Sequence, residues 1–238
     1  MMKALFLILF SVGTLSACTK TTSMTYIPLP IGSPVPIIDT LSYLALGDSY
    51  TIGQSVDEHD AFPYKLAGQL PGHKITGPTI IARTGWTTQQ LISAIDNSDV
   101  KDKTYDIVTL LIGVNDQYGG GSQVDYRIKF VQVLNTAIKL ARGNTKHVFV
   151  LSIPDYGVTP FAHGDDARIG KEIDQFNDIN RQESANAGVN YIDITPISKL
   201  AANNASLIAD DGLHPSATMY QIWVDKLKLA VLSALEKK

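Results

Sequence analysis

From residue 41 onward, short continuous apolar or β-branched runs alternate with longer stretches in which apolar residues recur at spacings of three and four. The runs at 43–46, 75–82, 106–111, 147–151 and 189–192 carry little polar alternation. Strands of that kind are covered on both faces, as in a parallel sheet built from βα units. Between them the spacing predicts helices over 62–70, 88–95, 124–142 and 168–187, and a last helix over 216–235. Gly143 and Gly188 follow two of these, where a left-handed residue ends a helix. Within 124–142, Ile128, Val131, Leu134 and Ile138 form an apolar stripe expected to face the sheet. Strands alternating with helices in this way give an α/β fold, and no internal repeat interrupts the pattern.

Before residue 41 the pattern is different. Lys3 precedes an apolar stretch at 4–12, and Leu15, Ser16 and Ala17 lead into Cys18. The stretch is shorter than the roughly 20 apolar residues that span a bilayer, so it reads as an export signal over 1–17. The tetrad 15–18 resembles the lipobox of bacterial lipoproteins. That resemblance implies a lipidated Cys18 as the first mature residue and an extracytoplasmic protein anchored by lipid to a bacterial membrane. Thr19 is not the aspartate that, in such lipoproteins, favours inner-membrane retention, so the outer membrane or cell surface is expected where there are two membranes. Residues 18–40 are rich in Thr and Ser and carry Pro28, Pro30, Pro34 and Pro36, a composition suited to a tether and not to a packed element. The folded domain is expected over 41–238.

Composition narrows the chemistry. A length of 238 residues with 45% apolar content suits one medium domain. Twenty Lys and Arg against 23 Asp and Glu give a net charge of -3, which offers no basic field for a polyanion and disfavours nucleic acid as a partner. A single cysteine excludes an intramolecular disulfide framework, a thiolate zinc site and an iron–sulfur cluster. Oxygen and nitrogen groups must carry the reaction.

Open α/β sheets bind ligands beyond the carboxyl ends of their strands. There the chain reads Gly47-Asp48-Ser49-Tyr50, then Ala82-Arg83-Thr84-Gly85, then Gly113-Val114-Asn115-Asp116. Near the C-terminus stands Asp211-Gly212-Leu213-His214-Pro215. A serine hydroxyl becomes a nucleophile when an oriented histidine takes its proton, and Ser49 with His214 has the residue types for this. Gly47 lets the chain turn sharply and present Ser49 at the sheet edge. Asp211, three residues before His214, can curl back to accept the imidazole Nδ1 proton, and Pro215 fixes the backbone just beyond. The developing oxyanion needs donors, and the Ser49 N–H, the Gly85 N–H and the Asn115 amide are the candidates. Asp48 reads as a hydrogen-bonding residue of the turn, and Tyr50 and Trp86 flank the site. The loop 153–170, with Tyr156, Phe161 and His163, is the expected specificity element, and His163 itself is expected to be solvated.

In these residues the chain resembles the SGNH (GDSL-type) hydrolase family. Ser49 matches the first-block serine, Gly85 the second-block glycine, Asn115 the third-block asparagine and His214 the fifth-block histidine. Tyr50 stands where the eponymous motif has leucine. The resemblance implies a three-layer, flavodoxin-like, doubly wound fold with a parallel five-stranded sheet in the order 2-1-3-4-5. It also implies hydrolysis of a small-molecule or glycan ester, thioester or O-acyl group through an acyl-serine, with no metal or organic cofactor. An α/β-hydrolase elbow fails because Gly47 to Thr51 lacks the second glycine. A flavodoxin-like electron carrier is disfavoured because Gly47 followed by acidic Asp48 makes a poor phosphate cradle. The alternative of another class is a catalytically silent, lipid-tethered glycan-binding protein on an esterase scaffold.

Overall fold

All five apolar runs contribute strands to one parallel sheet. The structure, a computed structural model, describes residues 39–236, so the expected signal segment, Cys18 and most of the tether lie outside the described residues. The strands are β1 (Asp39–Thr40), β2 (Tyr43–Gly47), β3 (His73–Lys74), β4 (Thr79–Ala82), β5 (Ile107–Leu111), β6 (Val148–Leu151) and β7 (Asn190–Ile192). The main sheet has five strands in the order β4-β2-β5-β6-β7, all parallel, which is the expected 2-1-3-4-5. Strands β2, β5 and β6 are buried throughout, as their continuous apolar sequences require.

The helices are α1 (Ser49–Ile52), α2 (Phe62–Ala67), α3 (Thr88–Asp96), α4 (Val114–Tyr118), α5 (Gln123–Leu140), α6 (Asp166–Ala187), α7 (Thr195–Ser198) and α8 (Ala217–Leu235). Helix α2 packs on α8, whereas α3, α5 and α6 pack in succession, giving a helical layer on each side of the sheet. The chain leaves β2 toward β4 and leaves β5 toward β6, in opposite directions. Beyond the carboxyl ends of β2 and β5 this reversal opens a crevice, the topological switch point at which doubly wound sheets bind ligands.

Three expectations need correction. The run 75–82 is a strand only from Thr79, because Pro78 has no N–H to give the ladder and restricts Gly77 before it. His73–Lys74 instead pairs with Asp39–Thr40 in a separate two-stranded sheet. The stripe on α5 is also rotated. Ile128 is 64% exposed, and the buried face is Tyr126, Phe130, Val133, Leu134, Ala137 and Leu140. That face also has helical spacing and buries two aromatic rings, the larger apolar area. Tyr126 anchors it through its hydroxyl, which lies 2.6 Å from the Asn180 side-chain amide and 3.1 Å from Ile112 O. Finally, Gly188 is the left-handed cap of α6, whereas α5 already ends at Leu140 and Gly143, left-handed as expected, closes the turn after it through its N–H on Ile138 O.

Candidate active site

Gly47 closes β2 where there is no room for a side chain: a Cβ there would lie 2.0 Å from Thr51 Oγ1 and 2.4 Å from Leu111 O. The chain then turns directly into α1, with Ser49 as its first residue. Asp48 caps this helix. Its Oδ1 accepts the Tyr50 N–H at 3.0 Å, and its carbonyl accepts from the N–H groups of Thr51 and Ile52. The Asp48 side chain is fully buried. Burial pushes its carboxyl up to about 8; the Tyr50 N–H opposes this and the nearby Asp116 carboxylate adds to it, so Asp48 is a neutral acid at neutral pH.

Beyond β5 the turn depends on Gly113. Its φ is +125°, and a Cβ would stand 2.3 Å from the Tyr126 hydroxyl. Helix α4 starts there, and two consecutive side chains reach back to the segment after β4. Asn115 donates one amide hydrogen from Nδ2 to Trp86 O at 3.0 Å, which leaves the second hydrogen for another acceptor. Asp116 accepts the backbone N–H and the hydroxyl of Thr88 at 2.8 and 2.9 Å, pinning the start of α3. Burial raises the Asp116 carboxyl above its ordinary value, partly offset by these two bonds.

On the loop before α8, the Asp211 carboxylate is surrounded by donors. Oδ1 accepts the N–H groups of Leu213 and His214, each at 2.9 Å. Oδ2 lies 2.6 Å from His214 Nδ1 and accepts the Ser55 hydroxyl at 2.6 Å. Partial burial pushes the Asp211 carboxyl up, but the bonds from Ser55, His214 and Leu213 outweigh it and hold the group well below the usual carboxylate range. Asp211 is therefore ionised, and the Nδ1 position of His214 carries the proton that faces it. His214 is buried; its carbonyl accepts the Ala209 N–H at 2.8 Å, and Pro215 bridges to Ile208. The Tyr50 ring packs against the imidazole at 5.5 Å between centroids.

These strand ends and this loop meet at a cavity of about 90 Å³. Ser49, Asn115 and His214 line it, with Tyr50, Val114 and Leu213 as apolar walls and Tyr118, Tyr156 and Phe161 as an aromatic end. A second cavity, of about 370 Å³, shares those three rings and is walled also by Gln117, His163 and Arg168. Four of the five expected site residues are thus brought together, with Asp211 behind His214. Gly85 is placed differently: it does not line the cavity, although its left-handed φ of +80° and the open space around its Cβ position suit a close backbone approach. His163 is exposed, as expected, and left-handed. Trp86 packs on the core and meets Asn115 through its carbonyl.

Sequence reasoning missed Ser55 and Tyr118. Tyr118 follows Asn115 by three residues, a spacing that on a helix puts both on one side, so it was open to detection. Ser55 gave no signal, because its partner is 156 residues away. Among the described residues no group of three His, Cys, Asp or Glu side chains is arranged to hold a metal ion, and no helix is long and apolar enough to cross a membrane.

Residues 45–222 match the sequence profile of the GDSL-like Lipase/Acylhydrolase family. The fold is similar to that of a member of the lipolytic protein G-D-S-L family from Veillonella parvula DSM 2008, at a TM-score of 0.62 and 19% identity over 81% of this chain and 98% of that one. It is similar to the psychrotrophic esterase EstA from a Pseudoalteromonas species, whose structure was determined inhibited by monoethylphosphonate, at 0.63 and 14% over 84% and 100%. It is also similar to an acetylxylan esterase from Geobacillus stearothermophilus, at 0.60 and 17% over 85% and 97%. No curated protein sequence matches the chain.

Proposed function

Because the chain belongs to the GDSL-like lipase/acylhydrolase family and is an ester-hydrolysing enzyme, we propose that it acts through an acyl-serine formed at Ser49, with His214 as base and Asp211 orienting it. Ser49 Oγ attacks the acyl carbonyl and passes its proton to His214 Nε2. The resulting oxyanion accepts from the Ser49 and Gly85 N–H groups and from the free amide hydrogen of Asn115. His214 then protonates the leaving alcohol or thiol, and a water deprotonated by the same imidazole releases the acid and restores Ser49. The observation that carries this reading is the 2.6 Å pairing of His214 Nδ1 with Asp211, on a histidine that shares its cavity with Ser49 and Asn115.

The size of the cavity supports a short acyl group. Tyr118, Tyr156 and Phe161 wall one end of this cavity of about 90 Å³, which favours a short acyl group over a fatty acyl chain. The mechanism is tested by rapid-quench kinetics on nitrophenyl acetate: a burst of nitrophenol with a mass increase of one acetyl on the Ser49 peptide is expected, and a burst with the label elsewhere contradicts it.

For location, the tetrad ending in Cys18 supports a lipid-anchored, extracytoplasmic protein. The parent chain should fractionate with membranes, and a Cys18→Ser chain given an ordinary secretion signal should be soluble. Solubility of the parent in its own host overturns this.

A further inference from the structure

We propose that Ser55 is a positioning residue that ties the Asp211–His214 pair to the main chain of the nucleophile; the inference rests on the acyl-serine reading above. Ser55 is the third residue of a turn closed by the Val56 N–H on Gly53 O at 3.2 Å, and its φ is +69°. Glycine or asparagine usually fills a left-handed position of that kind, since a Cβ disfavours it. The serine brings a hydroxyl that donates to Asp211 Oδ2 at 2.6 Å, the same oxygen that meets His214 Nδ1. With two backbone N–H groups on Oδ1, the carboxylate then has a fixed plane.

The turn is itself fastened to the site. The N–H groups of Gly53 and Gln54 both donate to Ser49 O, so Ser55 hangs from the nucleophile's own carbonyl. Gln54 Oε1 accepts the Thr84 hydroxyl at 2.5 Å, which braces the turn against the residue before Gly85. Ser49 and Asp211 come from opposite ends of the folded chain, and packing alone leaves their separation subject to small shifts. A chain running from Ser49 O through the turn and the Ser55 hydroxyl to Asp211 sets that separation, and with it the reach of His214 toward Ser49. Misplacement of a base by a fraction of an ångström is costly in turnover and nearly neutral in ground-state binding.

Two substitutions separate the hydroxyl from the backbone. Ser55→Ala removes the hydroxyl and keeps the left-handed Cβ; Ser55→Gly removes the hydroxyl and relaxes the backbone. Both should lose roughly tenfold in kcat with KM unchanged, the loss expected for one charge-assisted hydrogen bond acting in the transition state. The glycine chain should melt no lower than the parent. Parent kcat in Ser55→Gly, or a kcat that follows melting temperature across the three chains, overturns the proposal by assigning Ser55 to loop stability alone. A second readout does not depend on turnover: the low-field proton resonance of His214 Nδ1–H should move in Ser55→Gly, and an unmoved resonance also overturns it. Failure of the parent to form an acyl-serine would be seen separately, in the labelling of Ser49.

Discussion

Asp211 grips His214 twice, with one carboxylate oxygen accepting the backbone N–H at 2.9 Å and the other facing ring Nδ1 at 2.6 Å. A spacing of three residues makes this double grip possible, since the loop curls back through one turn. The neighbouring Asp210 is exposed. Asp211→Asn should therefore lose on the order of 10³- to 10⁴-fold in kcat by presenting the wrong partner to Nδ1, whereas Asp210→Asn should stay within about twofold. Parallel steady-state kinetics decide it: equal losses would remove the orienting role from Asp211.

Asn115 spends one amide hydrogen on Trp86 O and keeps the other. Asn115→Ala should lower kcat by about 10²- to 10³-fold with a much smaller change in KM, because the oxyanion forms only in the transition state. A variant whose sole defect is a raised KM would make Asn115 a substrate-binding residue.

Burial holds the Asp48 proton up to about pH 8 in the folded protein, against an ordinary value of 3.8. The folded state thus binds a proton that the unfolded chain has lost, and stability falls as pH rises from about 4 to about 8, then levels off. Asp48→Asn cannot ionise and should escape this loss. Its melting temperature relative to the parent should rise by at least a few degrees between about pH 5 and about pH 8.5, the shift that about 1 kcal/mol gives a chain of this size. A difference that is flat with pH would contradict the buried neutral acid.

Tyr118 is 63% exposed and Phe161 38% exposed, yet both close the cavity beside Ser49. Removing either ring should open this cavity toward the larger one that shares them. Tyr118→Ala and Phe161→Ala should each raise kcat/KM on octanoyl relative to acetyl nitrophenyl ester by roughly tenfold, as a few newly buried methylenes would. An unchanged acyl-length profile in both would mean that the rings do not limit the acyl group.

The sheet and the main site were legible because their signals are local. Continuous apolar runs are what a doubly covered strand requires, and the Asp211–His214 spacing reflects a constraint within a few residues. The face of α5 was not legible, because two apolar stripes overlap on it and the aromatic one, with Tyr126 held by Asn180 on α6, wins through a contact the sequence does not display. Ser55 was not legible for the same reason: it acquires its partner only when the two ends of the chain meet.

A Ser49 nucleophile activated by His214 is open to covalent capture. The most direct measurement is covalent labelling with a nitrophenyl phosphonate, read by peptide mass spectrometry and by the rate of nitrophenol release. One phosphonyl group per chain on the Ser49 peptide is predicted, with labelling abolished in Ser49→Ala and slowed by several orders of magnitude in His214→Ala. Labelling of another residue, or an undiminished rate in His214→Ala, would contradict the account.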